Sequence, residues 1–270
     1  MDNRPIGVFD SGLGGLTAMR ELTDLFPHER IIYLGDTGRV PYGGRSPDTI
    51  LKYARQDIDF LMGFDLKAIM VACGTVSTTA LDVLQTEYSL PILGVAAATA
   101  RAAATATRNN RIGLIGTTAT IRSGTYEKMI LKDNPKAEIY SVPCPLFVPL
   151  VESGHYQKGD PLVELVLSEY LTTLKVQGID TLALGCTHYP LLSNAISAFF
   201  GPEVTLISSG MQGALHLGQV LKERDALSAP DSKSEYHYYV TDSTDDFARL
   251  AAIFMGRPVN GLVEQVSLEK

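Results

Sequence analysis

Short apolar runs alternate with longer segments of helical periodicity along most of the chain. Each apolar run has the length of a β-strand and is bounded by turn-forming residues. Nine runs are predicted as strands: Ile6–Phe9, Ile31–Leu34, Ala68–Ala72, Ile92–Leu93, Ile112–Ile115, Ala137–Ser141, Thr181–Leu184, Val204–Ile207 and Tyr236–Val240. Alternating strands and helices predict an α/β protein whose sheets are mainly parallel.

Two helices carry clear start signals. Ser46 before Pro47 and Asp160 before Pro161 combine an N-cap residue with a proline suited to the first turn. The predicted buried faces are Ile50, Ala54, Ile58 and Leu61 in helix 47–63, and Leu162, Val166, Tyr170 and Leu174 in the helix after Asp160. Further helices are expected over 76–84, 96–107 and 212–224, followed by a strand and a last helix.

Three short motifs recur in the same order at nearly one offset. Ile6-Gly7-Val8-Phe9 is matched by Ile112-Gly113-Leu114-Ile115, and Ile32-Tyr33 by Ile139-Tyr140. Ala72-Cys73-Gly74-Thr75 is matched by Gly185-Cys186-Thr187. Single matches of this length arise by chance, but their common order predicts an internal duplication.

The duplication predicts two similar Rossmann-like or flavodoxin-like α/β domains with a functional cleft between them. Residues 96–208 are expected to form the second domain. The first would be discontinuous, made of residues 1–95 and 209–270, because the last ~60 residues bury too little surface to fold comfortably alone.

Composition excludes several classes of function. The chain has 23 Lys and Arg against 30 Asp and Glu, a net charge of −7, and no basic run, so nucleic acid is not expected as a partner. No apolar segment reaches the ~18 residues of a transmembrane helix, and no secretory signal is visible. With only three widely spaced cysteines, we expect reduced thiols and a cytoplasmic protein rather than a disulfide framework.

Chemically useful side chains follow the predicted strands. Asp10, Cys73 and Cys186 each stand where an apolar run ends, and Thr75 and Thr187 come just after two of those ends. Ligands of open α/β sheets bind beyond the carboxyl ends of the strands. In a duplicated fold, Cys73 and Cys186 would therefore lie on opposite walls of one cleft.

Two opposed thiols can invert a carbon stereocentre by proton transfer. One thiolate removes a proton from one face while the other thiol delivers a proton to the opposite face. Cys73 precedes a helix, which is expected to lower its pKa. Asp10, Glu152 and His188 fall in the corresponding loops and could tune the pair.

Each feature also has a simpler interpretation. The Gly-rich turn Asp10-Ser11-Gly12-Leu13-Gly14-Gly15 could bind a phosphate or only form a tight turn, but it lacks a nucleotide-binding spacing. Cys73, Cys186 and His188 could bind zinc, yet no paired-ligand spacing supports a metal, and none is expected. Cys144, between Pro143 and Pro145, is expected to be structural.

Several motifs together resemble the cofactor-independent glutamate racemases of the aspartate/glutamate racemase family. The strings that carry the resemblance span most of the chain: Gly7-Val8-Phe9-Asp10-Ser11-Gly12-Leu13-Gly14-Gly15-Leu16-Thr17, Gly35-Asp36-Thr37, Pro41-Tyr42-Gly43, Ala72-Cys73-Gly74-Thr75 and Gly185-Cys186-Thr187-His188-Tyr189-Pro190-Leu191-Leu192.

The resemblance implies interconversion of L- and D-glutamate without a cofactor, supplying D-glutamate for peptidoglycan. It implies that Cys73 acts on the D-isomer and Cys186 on the L-isomer, assisted by Asp10, Glu152 and His188. The substrate-binding set that it implies is Asp10, Ser11, Pro41, Tyr42, Gly43, Gly74, Thr75, Thr117, Thr120, Thr187 and His188.

One position departs from the family. Gly74 stands where the family usually has asparagine, which leaves open a racemase or decarboxylase acting on aspartate, a hydantoin or a substituted malonate. A protein of another class, a two-lobed binder of small anions, would share the duplicated lobes but would not need a cysteine in each. A homodimer is expected, with a subunit contact formed by apolar residues of the first lobe or by the Ala-rich helix 96–107.

Overall fold

Two parallel sheets form the framework of the protein, which was analysed as a computed structural model describing residues 1–245, 247–259 and 261–268. Over these residues the strands are β1 (Ile6–Asp10), β2 (Ile31–Gly35), β3 (Ala68–Val71), β4 (Ile92–Gly94), β5 (Arg111–Gly116), β6 (Glu138–Pro143), β7 (Thr181–Leu184), β8 (Thr205–Ser208), β9 (Tyr236–Val240) and β10 (Leu262–Gln265). All nine predicted strands are present, with ends shifted by at most two residues.

The two sheets repeat one strand order. The first runs β10-β9-β2-β1-β3-β4 and the second β6-β5-β7-β8, so β2-β1-β3-β4 corresponds to β6-β5-β7-β8. Every paired strand is parallel. The predicted fold class is therefore confirmed. We call the parts built on the two sheets the first and second lobes.

The chain returns to the first sheet after residue 235, where β9 pairs with β2 and β10 pairs with β9. The sequence did not predict β10, because its short Leu-Val-Glu-Gln run lies at the sheet edge with Leu262 exposed and lacks a buried apolar pattern. The exact division at residues 95/96 and 208/209 stays a prediction.

Helices connect the parallel strands, as crossover connections require. Their bounds are α1 (Leu16–Leu25), α2 (Pro47–Leu61), α3 (Gly74–Thr79), α4 (Leu81–Glu87), α5 (Val95–Ala106), α6 (Thr118–Ser123), α7 (Thr125–Asp133), α8 (Phe147–Glu152), α9 (Pro161–Val176), α10 (Ser193–Phe200), α11 (Ser209–Glu223) and α12 (Phe247–Met255). None of these described helices is long and apolar enough to cross a bilayer.

Helix α2 confirms its prediction. Ser46 caps it by accepting a hydrogen bond from the Thr49 amide at 3.3 Å. All four residues of the predicted face, Ile50, Ala54, Ile58 and Leu61, are fully buried. A good cap and one unambiguous apolar face explain why local sequence was sufficient here.

The predicted buried face of α9 is wrong except at Leu174, although its cap is right. Asp160 accepts a hydrogen bond from the Leu162 amide at 2.9 Å. The buried residues are Val163, Leu167, Leu171 and Leu174. Leu162 is 43% exposed. Apolar residues occupy adjacent faces of this helix, so periodicity alone could not decide which face packs inward.

The predicted helix over 76–84 is also corrected. It is two helices, α3 and α4, separated at Ala80, whose φ of −129° and ψ of −17° leave the helical region. The break leaves α3 only six residues long. This shortness bears on the electrostatics of Cys73, which immediately precedes α3.

Candidate active site

The carboxyl ends of β1, β3 and β7 bring Asp10, Cys73 and Cys186 to one region between the lobes. Both cysteines are nearly buried, with 4% and 6% of their surfaces exposed. The backbone segments that carry them are in contact: a Cβ atom added to Gly74 would lie 3.9 Å from the Cys186 Cα. The two cysteines predicted to face one cleft therefore do come together.

Cys73 is held as a neutral thiol. Its Sγ donates a hydrogen bond to Ser11 Oγ at 3.5 Å. Burial, reinforced by the negative charge of Asp10, raises the pKa of Cys73 to about 12. The expectation of a lowered pKa is wrong, because a single short helix cannot offset the loss of solvation in this enclosed position.

Cys186 has a different neighbour, His188. The Cys186 Sγ lies 4.0 Å from His188 Nδ1, and His188 Nε2 lies 3.0 Å from Glu152 Oε1. Burial lowers the pKa of His188, but contacts with Cys186 and Glu152 outweigh it and raise the pKa to about 10. The imidazole is therefore cationic at neutral pH, and its positive charge lies beside the Cys186 sulfur.

Asp10 offers an unused acceptor in this region. Its Oδ2 accepts a hydrogen bond from the Gly12 amide at 3.1 Å, whereas its buried Oδ1 has no hydrogen-bond partner among the described residues. Burial raises the pKa of Asp10, and the positive charge of His188 opposes the shift. A buried unpaired oxygen is costly, so this atom suits a donor supplied by a ligand.

Threonine hydroxyls from both lobes form a second polar group. Thr75 Oγ1 of α3 lies 2.9 Å from Thr117 Oγ1 and 3.4 Å from Thr120 Oγ1 at the start of α6. These three residues were predicted to bind substrate, and the structure places them together. Such hydroxyls can accept or donate as a bound group requires.

Sequence reasoning assigned no role to Thr17, which links the lobes at the other cysteine. Its Oγ1 donates a hydrogen bond to the carbonyl of Thr187 at 2.8 Å. Thr17 and Thr187 are far apart in the chain and lie in no shared motif. No local signal could therefore have revealed this contact.

Three glycines of the first lobe lie directly against the second. A Cβ atom on Gly43 would lie 2.7 Å from the Thr117 Cβ, one on Gly74 would overlap the Gly185 carbonyl, and one on Gly14 would overlap His188 and Thr187. The space that a side chain at position 74 would need is thus occupied by the opposite backbone. This gives a physical reason for the absence of a side chain there.

The loop containing Pro41 and Tyr42 approaches the site through its backbone. Pro41 is exposed, and Gly43 adjoins Thr117. The Tyr42 hydroxyl turns into the first lobe, where Asp36 and Asp57 surround it. That hydroxyl is therefore unavailable to a substrate, and the carboxyl groups that hold it were not identified from sequence.

Cys144 lies apart from this arrangement. It is fully buried, its thiol donates to the Val142 carbonyl at 3.6 Å, and its own carbonyl accepts from the Tyr189 hydroxyl at 2.9 Å. In the described part of the chain, no group of three or more His, Cys, Asp or Glu side chains could hold a metal ion.

Comparison with known proteins identifies the family. A sequence profile described as Asp/Glu/Hydantoin racemase matches residues 22–214. The chain belongs to this racemase family. It is 43% identical over 266 residues to the glutamate racemase of Geobacter metallireducens, covering 98% of this chain and 97% of that one.

Solved racemases share the fold. The glutamate racemase of Francisella tularensis, crystallised with D-glutamate, superimposes with a TM-score of 0.91 at 40% identity and covers 100% of this chain and 99% of that one. The aspartate racemase of Picrophilus torridus gives a TM-score of 0.59 at 15% identity, covering 83% of this racemase and 99% of that chain. The latter likeness shows the fold alone.

Proposed function

We propose that this racemase interconverts L-glutamate and D-glutamate without a cofactor. The observation that carries the proposal is the meeting of two buried cysteines, one from each lobe, at corresponding strand ends. Full-length relatives at 43% and 40% identity are glutamate racemases, one of them solved with D-glutamate. A pure binding protein would have no use for the paired thiols.

For L-glutamate, the reaction would begin with Cys186 as a thiolate beside the His188 imidazolium and with Cys73 as a thiol. Cys186 removes the Cα proton of L-glutamate, and Cys73 donates its proton to the opposite face of the resulting carbanion. The product is D-glutamate, with Cys186 now a thiol and Cys73 a thiolate. The reverse reaction exchanges these roles.

Positioning and exclusion of water would supply much of the rate acceleration, because one general base contributes only about 10²–10⁴-fold. The unpaired Asp10 Oδ1 would accept from the substrate ammonium group. Ser11, Thr75, Thr117, Thr120 and Thr187, together with backbone groups near Gly43 and Gly74, would hold the two carboxylates. His188 and Glu152 would keep the charge at Cys186 balanced.

The inferred biological role is to supply D-glutamate for peptidoglycan in the cytoplasm, acting as a homodimer on a free small molecule. The glutamate racemases at 43% and 40% identity support glutamate as this small molecule. Measuring the sedimentation of the purified protein would test the homodimer independently of catalysis.

The decisive experiment follows racemisation and Cα–H exchange in deuterated water for Cys73→Ser and Cys186→Ser. Each should lose activity by about 10²–10⁴-fold, since each removes one of two proton-transfer groups. Cys144→Ser, a buried cysteine outside the site, is the matched control. Parent-like racemisation by either site variant would exclude the two-thiol mechanism.

Gly74 favours one second candidate, racemisation of another small carboxylate such as aspartate. Gly74 has no side chain to contact a substrate where the family usually has asparagine, and the Gly185 backbone lies against this position beside Cys73. Chiral analysis of glutamate and aspartate incubated with the pure protein separates the two. Turnover of aspartate without turnover of glutamate would reverse the substrate assignment.

A further inference from the structure

A cluster of ionisable side chains lies behind the loop that carries Gly43 to the site. Asp36 at the end of β2 and Asp57 in α2 are both fully buried, and Tyr42 lies between them. Arg39 bridges the same two carboxyl groups: its Nε lies 2.7 Å from Asp36 Oδ2 and its Nη2 lies 3.1 Å from Asp57 Oδ1. None of these four groups has a role in the proton transfer described above.

The Tyr42 hydroxyl contacts more acceptors than it has protons. It makes a short hydrogen bond with Asp36 Oδ2 and lies 3.0 Å from Asp57 Oδ2. A phenol carries one hydrogen, so it can donate to only one of two ionised carboxylates. The second contact is a hydrogen bond only if that carboxyl group brings its own proton.

The remaining partners favour a proton on one of these two carboxyl groups. Asp36 also accepts hydrogen bonds from Arg39 and from Thr241 Oγ1, the latter at 2.8 Å, so three donors converge on it. Asp57 is contacted by Arg39 and by the Tyr42 hydroxyl, so when the phenol proton points to Asp36, Asp57 keeps only the Arg39 donor among the described side chains. One guanidinium then balances one carboxylate, which avoids an uncompensated buried charge.

The electrostatic surroundings of Asp57 agree with this assignment. Burial raises its pKa well above the ordinary value, and the charges of Asp36 and Asp10 raise it further, while Arg39 and the Tyr42 hydrogen bond oppose the shift. Tyr53 is a further titratable neighbour: its ring is tilted against that of Tyr42, with centroids 5.3 Å apart, and the Arg39 guanidinium lies 4.3 Å from its centroid.

We propose that Asp57 is a positioning residue whose carboxyl group stays protonated at neutral pH and donates a hydrogen bond to the Tyr42 oxygen. The chain Asp57 to Tyr42 to Asp36 then fixes loop 37–44, and with it the contact of Gly43 with Thr117 across the site. The effect of Asp57 on turnover rests on the proposed function, whereas the protonation of Asp57 does not.

Exchanging each acid for its amide tests the assignment. Asp57→Asn retains an N–H donor for Tyr42 and an oxygen for Arg39, so the KM for glutamate should stay within about twofold of the parent. Asp36→Asn is the matched control, because it places an N–H group where the donors of Tyr42, Arg39 and Thr241 converge. These donors would lose an acceptor, so the KM for glutamate should rise about tenfold or more. The opposite ranking would overturn the proton assignment.

Asp57→Leu removes the donor altogether and should raise KM more than it lowers kcat, with Asp57→Asn restoring the parent value. If Asp57→Asn and Asp57→Leu lowered kcat and raised KM by equal amounts, the hydrogen bond donated to Tyr42 would have no role. Near-ultraviolet circular dichroism checks that Asp57→Leu folds. If it does not, the KM of Asp57→Asn compared with Asp36→Asn tests the proposal.

Carbon-13 NMR of aspartate carboxyl groups provides a test that does not depend on activity. The signal that is absent from the Asp57→Asn spectrum belongs to the Asp57 carboxyl group. In the parent at pH 7, its chemical shift should be that of a protonated carboxyl group. A signal that titrates near the ordinary Asp value of about 3.9 would overturn the proposal even if the protein racemises glutamate. A protonated Asp57 in a protein that leaves glutamate unchanged would refute only the proposed function.

Discussion

The two site cysteines occupy electrostatically opposite surroundings. Cys73 faces the acidic Asp10 and donates to Ser11, and its pKa is raised to about 12 by burial. Cys186 lies beside His188, whose pKa of about 10 keeps it cationic. Because a thiolate is the reactive form of cysteine, this difference has a direct chemical consequence.

Iodoacetamide should therefore alkylate Cys186 faster than Cys73 in the substrate-free protein at pH 7.5. We expect a difference of about tenfold or more, because the raised pKa of Cys73 lowers its thiolate fraction tenfold for each pKa unit. Peptide mapping by mass spectrometry measures both rates in one sample, and buried Cys144 reports general unfolding. Faster alkylation of Cys73 would contradict its assignment as a neutral thiol.

Replacing His188 should change how stability depends on pH. The folded pKa of about 10 exceeds the ordinary histidine value of about 6.5, so the stabilisation is complete below about pH 6.5 and is lost as pH rises through 10. The difference in unfolding free energy between the parent and His188→Asn should shrink over this range in urea titrations. A constant difference would mean that folding does not raise the pKa of His188.

At the scale of elements, α2 and α9 show when local sequence is sufficient. Helix α2 has one apolar face and a strong cap, and both were predicted correctly. Helix α9 has an equally good cap but apolar residues on neighbouring faces. Its orientation depends on what it packs against: the ring of Tyr170 in α9 meets the ring of Phe147 edge to face at 5.5 Å.

Paired alanine substitutions test the buried face of α9. Leu171→Ala, at a fully buried position, should destabilise the protein by about 2–5 kcal/mol because it leaves a cavity. Leu162→Ala makes the same chemical change on the same helix at an exposed position, and should stay within about 0.5 kcal/mol of the parent. Chemical denaturation measures both, and equal effects would contradict the buried face assigned here.

At the scale of the whole molecule, contacts between lobes enclose the site. Thr17 bonds to the Thr187 carbonyl, Thr125 Oγ1 donates to the Thr78 carbonyl at 2.8 Å, and Thr75 meets Thr117. Gly14, Gly43 and Gly74 permit the backbones to approach this closely. The arrangement keeps both cysteines almost free of solvent, as removal of a weakly acidic proton requires.

Adding one methyl group at Gly74 should hold the lobes apart. Gly74→Ala would overlap the Gly185 carbonyl, so we expect kcat/KM to fall about tenfold or more and the cysteines to alkylate faster under saturating glutamate. Gly44→Ala is the matched control, because its Cβ would meet nothing within 4 Å. Parent-like kinetics in Gly74→Ala would show that closure at this point is not needed.

Much of this arrangement was readable from local patterns. Strand-length apolar runs determined the strands, their repetition determined the duplication, and the residues after each strand determined that Asp10, Cys73 and Cys186 share one edge. These features depend on periodicity and on the common direction of parallel strands, which are properties of neighbouring residues.

Only the tertiary structure decided the remaining features. The pKa of Cys73, the buried face of α9, the link from Thr17 to Thr187, and the Asp57–Tyr42–Asp36 chain all depend on residues that are distant in sequence. Loss of solvation and charge interactions are set by what surrounds a group in three dimensions. The sequence by itself therefore determined where the reactive groups stand, whereas packing determined which of them carry protons and charge.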